Sequence, residues 1–489
     1  MPLSQTEPVP LIASACNILR TVRFVKSFKR IYPIFVSSVL AATIASGQTK
    51  ASATNSEASD LQRVVELLRL GQLDKAEPIL QQVIRSHPKN ADAHNLLGVI
   101  MDQRGKAVEA EREYRAALRF NPNSISAMAN LGVLLAHTQR EAEALKLFDS
   151  VLRLSPNHPQ ATINLGLLYA SQHDYEDAAK LLTRANQLQP SNFEILLQLG
   201  VSLYKLKRLD EAENALRSAA SVAPNSSAEL FYFFGLIAFS RNQDEAAGEL
   251  WEKAIALKPK YSEANFMLGE ILRKHHRYAP AQKFYQTALE QDPSQVAYYV
   301  RLGGTFMLLV QYDHALEIFR RATQRFPKSS EAQYFAGIAA RGLADYGLAE
   351  TALRTSLQLK DNNVDALAQL GFVVGERGRN QEAETLLRHA VALNPRHFYA
   401  SYNLGRLLVR MNRYDDAIGV LKSAEAVRPH DASVHYQLFI SYSRLKRKDE
   451  ADRELALFKQ YDAERKARHA EGEETIEDTL PSASEVKPN

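Results

Sequence analysis

Ten prolines keep a fixed interval along this chain. Pro88, Pro122, Pro156, Pro190 and Pro224 are followed by Pro259, Pro293 and Pro327, then by Pro395 and Pro429. Neighbours lie 34 residues apart, except for one step of 35 and one of twice 34, where Asp361 occupies the skipped place. Ten glycines, from Gly98 and Gly132 through Gly405, hold the same register. Units beginning at residues 57, 91, 125, 159, 193, 228, 262, 296, 330, 364, 398 and 432 put alanine at the twentieth position every time, from Ala76 and Ala110 to Ala451. The twenty-fourth position is always large and apolar, as in Leu80, Tyr114, Phe148, Trp251, Tyr285 and Phe319, and the twenty-seventh is mostly alanine. Such a chain folds as a stack of one small unit, because a single copy cannot bury its own apolar face.

Within a unit, apolar residues recur at helical spacing in two stretches, parted by a polar turn such as Gln172-His173-Asp174-Tyr175. The pattern predicts a helical hairpin. Glycine at the eighth position and alanine at the twentieth and twenty-seventh lack bulk where two helices cross. The large side chain at the twenty-fourth is expected to fill the gap left between units. Proline at the thirty-second has no N–H and disfavours helix in the residue before it, so it ends the second helix.

Together these residues resemble the tetratricopeptide repeat family. The resemblance covers residues 57–465, and the unit 159–192 carries every element of it: Leu165, Gly166, Ala178, Leu182, Ala185 and Pro190. It implies an all-α protein, an α-solenoid wound as a right-handed superhelix of about twelve helix-turn-helix units, whose first helices line a concave groove. It implies a protein or peptide partner held in that groove. Val64 and Phe439 replace the glycine in the two end units, as befits terminal caps. The extra residue around Asn225-Ser226-Ser227 predicts a kink.

By the same resemblance, the second, fifth, sixth, ninth, twelfth and thirteenth positions of each unit face the groove. Asn130, Asn164 and Asn403 stand at the sixth, where an amide offers both donor and acceptor to a bound backbone. In the stretch LFYFFGLIAF, residues 230–239, Tyr232, Phe233 and Phe239 are left over once packing is served. Phe266, Tyr334, Tyr402 and Tyr436 repeat the aromatic choice at the fifth position, and aromatic side chains make good binding anchors. Arg273, Lys274, Arg301, Arg406 and Arg410 offer cations for an acidic peptide, or form a solvated face balanced by Glu263, Glu270 and Glu331. The co-chaperone type of carboxylate clamp does not fit, since no unit has lysine at the fifth position or asparagine at the ninth.

No phosphate-binding G-x-x-x-x-G-K-[ST] loop and no H-E-x-x-H zinc helix occurs, and Cys16 is the single cysteine. With 24 residues after the last unit, there is no room for a catalytic domain there. The reading is a non-enzyme with no cofactor and no catalytic or metal site. Formal charge is +4 over the chain, but residues 1–56 hold six basic side chains against Glu7, which leaves the remainder at −1. No basic surface for nucleic acid is implied.

The basic cluster Lys26, Lys29 and Arg30 precedes the apolar run IFVSSVLAATIA, and small residues at Ala45, Gly47, Ala51 and Ala53 follow it. Residues 1–56 therefore read as a targeting segment, a secretory signal with an unusually long start or an uncleaved anchor. Residues 466–489 are acidic, lack aromatic residues and read as a disordered tail. The whole reads as an exported scaffold, periplasmic or secreted, that holds a partner during assembly of an envelope, secretion or surface complex. The alternative is a cytosolic or membrane-tethered adaptor that recruits a separately encoded enzyme.

Overall fold

The structure, a computed structural model, describes residues 55–224 and 227–470. Asn225 and Ser226, where the kink is predicted, lie outside the described residues, as do the signal-like segment and the tail from residue 471 onward. Among the described residues, twenty-four helices follow one another in pairs and there is no strand.

The pairing has local causes. Polar side chains cap the first helices: Asn90 Oδ1 accepts from the Ala93 N–H at 2.8 Å, Ser329 Oγ from Ala332 at 3.1 Å, and His397 Nδ1 from Ala400 at 3.1 Å. A first helix runs 13 residues, as in Pro159–Ser171, and the second 14, as in Tyr175–Leu188. Between them, the fifteenth residue of every unit takes a left-handed backbone, with φ between 56° and 79°. Only Gly71, Gly105 and Gly378 are glycine there; Val310, at φ 57°, is β-branched. The turn reverses the chain by bonding the next N–H to a carbonyl five residues back, as Gln311 N–H does to Phe306 O at 2.9 Å.

Inside each of the ten hairpins between the end units, the eighth-position glycine receives the twenty-fourth side chain of its own unit. A Cβ at Gly98 would stand 2.6 Å from the Tyr114 ring, and one at Gly269 2.6 Å from that of Tyr285. The large residue thus fills the crossing within a unit, a correction to the expectation that it fills a gap between units. Trp251 makes the same contact with Gly235 and donates its indole N–H to the Tyr232 carbonyl at 3.1 Å.

Neighbouring units are tied by charge as well as by packing. Glu77, Glu111, Glu213, Glu350 and Glu384 all stand at the twenty-first position, and each accepts a guanidinium from the turn of the next unit. Arg140 reaches Glu111 at 2.8 Å, Arg377 reaches Glu350 at 2.5 Å and Arg413 reaches Glu384 at 2.8 Å.

The chain divides between Leu257 and Lys258 into two compact units. In the C-terminal one, helix Val364–Glu376 touches the first helices on both sides, Ser330–Gly342 and Phe398–Arg410. Within each compact unit, second helices pack against the first helix that follows, so the first helices of that unit lie on one side of it. The last helix, Lys448–Ala470, runs 23 residues and extends past residue 465. No helix among the described residues is long and apolar enough to cross a membrane.

Candidate functional site

The face made by first helices is where side chains not required for packing collect, and its residues differ in how far the fold has already engaged them. Asn130 is buried and donates its amide to Asn95 Oδ1 at 3.0 Å, while Asn164 donates to the Gln160 carbonyl of its own helix at 2.9 Å. The donors of both amides are engaged by the fold. Asn403 is buried as well.

The aromatic residues belong to different places. In the N-terminal compact unit, Phe233 is fully enclosed, with ring centroids of Tyr204 at 5.7 Å and Tyr232 at 5.5 Å. That corrects its expected place on the groove. Tyr232 is buried, and Phe239 lies 5.7 Å from the Trp251 ring. In the C-terminal unit, Phe266 is buried between Tyr285 at 5.5 Å and Tyr298 at 5.0 Å. Tyr402 stacks parallel to Phe398 at 5.8 Å, and burial pushes its phenol up to about 12. Tyr334 meets Phe335 edge to face at 5.1 Å; burial raises its phenol well above the usual value.

The cations of the C-terminal unit form two clusters. In the first, Arg301 is 6% exposed and its Nε donates to Glu270 Oε1 at 2.9 Å, beside Arg273 at 3.4 Å. Tyr285 donates its hydroxyl to the same Glu270 oxygen at 2.5 Å. Burial would raise the Glu270 carboxyl, yet Arg301 and Arg273 hold it below the usual range. Arg301 is therefore an internal ion pair, where the sequence allowed a solvated face.

The second cluster draws on three consecutive units. Arg341 is 7% exposed and donates to the neutral amide oxygen of Gln369. Its guanidinium carbon lies over the Phe372 ring, 4.6 Å from the centroid, and that of Arg406 lies 4.4 Å from the same centroid. Arg406 donates to Glu376 at 2.7 Å, and Arg410 donates to the same carboxylate at 3.1 Å and to the Gly375 carbonyl at 2.8 Å. A side chain at position 375 would collide with that guanidinium, since a Cβ there would stand 2.9 Å from it. Among the described residues no carboxylate pairs with Arg341. Burial pulls its guanidinium below the usual value, and Arg406 adds to that, against the nearby phenols of Tyr334 and Tyr399.

One further cluster has the composition of a cation site: Glu425, His435 and Glu454. The Lys422 ammonium already stands among them, 2.8 Å from Glu425 and 2.9 Å from Glu454, so the carboxylates are neutralised from within.

Arg341, Gln369 and Phe372 escaped the sequence reading, although they occupy the twelfth, sixth and ninth positions that face the groove. Charge balance along this face is settled between residues 28 to 34 apart, as in Arg341 with Gln369 and Arg410 with Glu376. Aligning the units and summing charge across adjacent copies is the signal that finds them.

Comparisons with known proteins agree in kind. A model described as tetratricopeptide repeat matches residues 61–125 and 110–159. One for subunit 3 of the anaphase-promoting complex, or cyclosome, matches residues 137–219. One for the C-terminal domain of cilia and flagella-associated protein 70 matches residues 238–478. No curated protein matches the chain. Among solved structures, PilF of Pseudomonas aeruginosa is 21% identical, covering 44% of this chain and 97% of its own, with a TM-score of 0.39. The Cut9–Hcn1 hetero-tetramer of the APC/C is 15% identical over 84% of this chain and 94% of its own, at 0.44. Yeast Tom70 is 15% identical over 86% and 99%, at 0.35.

Proposed function

The chain belongs to the tetratricopeptide repeat family, and from that premise we propose a non-catalytic scaffold that holds a partner peptide or helix on its first-helix face. The observation that carries this reading is the group at Phe372. There, side chains of three consecutive units gather on the first-helix side: a part-buried ring, two guanidiniums over it, one of them buried, and a third on the carboxylate beside them. Grooves that bind peptides combine an aromatic platform with a few placed charges.

Export is part of the proposal. What supports it is the sequence from Lys26 to Ala53, with its basic start, short apolar run and small-residue exit. An exported scaffold without its own chemistry acts by bringing other proteins together, and assembly of an envelope, secretion or surface complex is the setting proposed. A photo-crosslinking amino acid at Phe372, compared with one at the exposed Thr351 on a second helix, tests the face in the native host. The expected result is a discrete partner band from Phe372 and none from Thr351. Equal yields at both, or a band from Thr351 alone, would overturn the assignment of the first-helix face.

A further inference from the structure

Resting on the reading of the first-helix face as the partner surface, we propose that Arg341, Phe372 and Arg406 form a binding site for a phosphate monoester, carried by a phosphorylated segment of the partner. Charge is the first argument. Arg341 and Arg406 stand over Phe372, and Glu376, the carboxylate that Arg406 reaches, also holds Arg410. Asp365, the carboxylate whose field reaches Tyr334, is hydrogen-bonded to His397 at 2.9 Å and, among the described residues, pairs with none of these three arginines. The three guanidiniums thus exceed their paired carboxylate by two charges. A phosphate monoester near neutral pH is close to a dianion and matches that excess, whereas a carboxylate would leave one cation uncompensated.

Burial is the second argument. A guanidinium removed from water without a counter-charge is costly, and a neutral amide offsets little of that cost. Arg341 has five N–H donors, and Gln369 engages one of them. Its guanidinium lies over the Phe372 ring in a residue 7% exposed, where a bound anion gains from low dielectric. Arg406 keeps 19% of its side chain exposed and marks the open side of the site.

Calorimetric titration of the full chain with phenyl phosphate, inorganic phosphate and benzoate tests the proposal. Phenyl phosphate is expected to bind roughly tenfold more tightly than benzoate, and Arg341→Gln to weaken it roughly tenfold or more, the scale of one charge-assisted hydrogen bond. Glu376→Gln frees both of its arginines and is expected to tighten binding, a gain that misfolding cannot imitate. Equal affinity for benzoate, binding unchanged by Arg341→Gln, or no gain in a folded Glu376→Gln overturns the site. Binding of inorganic phosphate without phenyl phosphate does so too, because the site would then take only the free ion. Crosslinking at Phe372 that survives both Arg341→Gln and phosphatase treatment of the partner removes this proposal and leaves the scaffold standing. Phenyl phosphate binding without any crosslinked partner does the reverse.

Discussion

His435 stands where both of its ring nitrogens face acceptors. Nδ1 lies 2.7 Å from Glu454 Oε2 and Nε2 lies 2.8 Å from the Pro429 carbonyl, in a side chain 1% exposed. A neutral imidazole has one N–H and cannot satisfy both, so the geometry calls for the imidazolium. Burial opposes that charge, but the bonds to Glu454 and Pro429 raise the pKa above the ordinary 6.5. Glu454 is shifted the other way: burial would raise it, and its bonds to His435 and Lys422 hold it below 4.5. The contribution of His435 to stability is therefore full below about pH 6.5 and fades as pH rises through its raised value. That of Glu454 is full above 4.5 and fades as pH falls through its lowered value. His435→Gln is expected to cost about 1–3 kcal/mol near pH 6, with the gap to wild type narrowing towards about pH 9. Melting curves across that range check it, and a gap that stays constant would dismiss the imidazolium. The same arrangement of acceptors recurs near the N-terminal end. His94, also the fourth residue of its unit, lies 2.7 Å from Glu113 and 3.1 Å from the Pro88 carbonyl.

At the scale of the element, the hairpin was legible because its determinants are local in sequence. Glycine, alanine and proline at fixed positions dictate where helices cross and stop, and each acts within one unit. Adjacent glycines in helix Val296–Leu308 show how finely this is drawn. A Cβ at Gly303 would run into the Phe319 ring, while one at Gly304 meets nothing within 4 Å. Gly303→Ala is expected to destabilise by about 1–3 kcal/mol through overpacking. Gly304→Ala is expected to stabilise by about 0.5–1 kcal/mol, since alanine loses less entropy in a helix. Thermal melts of the two variants should move in opposite directions; a shared direction would refute the asymmetry of the crossing. The site was less legible, for two reasons. Phe233 reads as a groove residue because Ala228–Ser240 is apolar almost all round and gives no polar face from which to tell inside from outside. Asn130 was assigned to a ligand although its amide is engaged by Asn95, 35 residues away, a partner that only the stack brings near.

For the whole molecule, the consequence of repetition is that stability is local. Within each compact half a repeat touches its neighbours, and the ties at the twenty-first position join one repeat to the next, so disturbance should spread over a repeat or two. Glu350 is buried and takes Arg377 at 2.5 Å, Arg354 at 2.8 Å, and Arg379. Removing its charge with Glu350→Gln should cost about 1–2 kcal/mol, once the half-exposed guanidiniums are discounted for solvent screening. Hydrogen exchange should then show roughly tenfold faster opening across residues 330–397 and no change across residues 91–154. A uniform change over the chain would mean that it unfolds as one body.

The group at Phe372 takes one cation from each of two units and its ring from the unit between them. Its two guanidiniums keep their spacing only while the rise and twist from unit to unit stay fixed. A small stretch of the stack would draw them apart before any helix melted. Affinity at that point is thereby tied to pitch, so a load applied to the ends of the chain becomes a lever on what the middle of the C-terminal unit can hold.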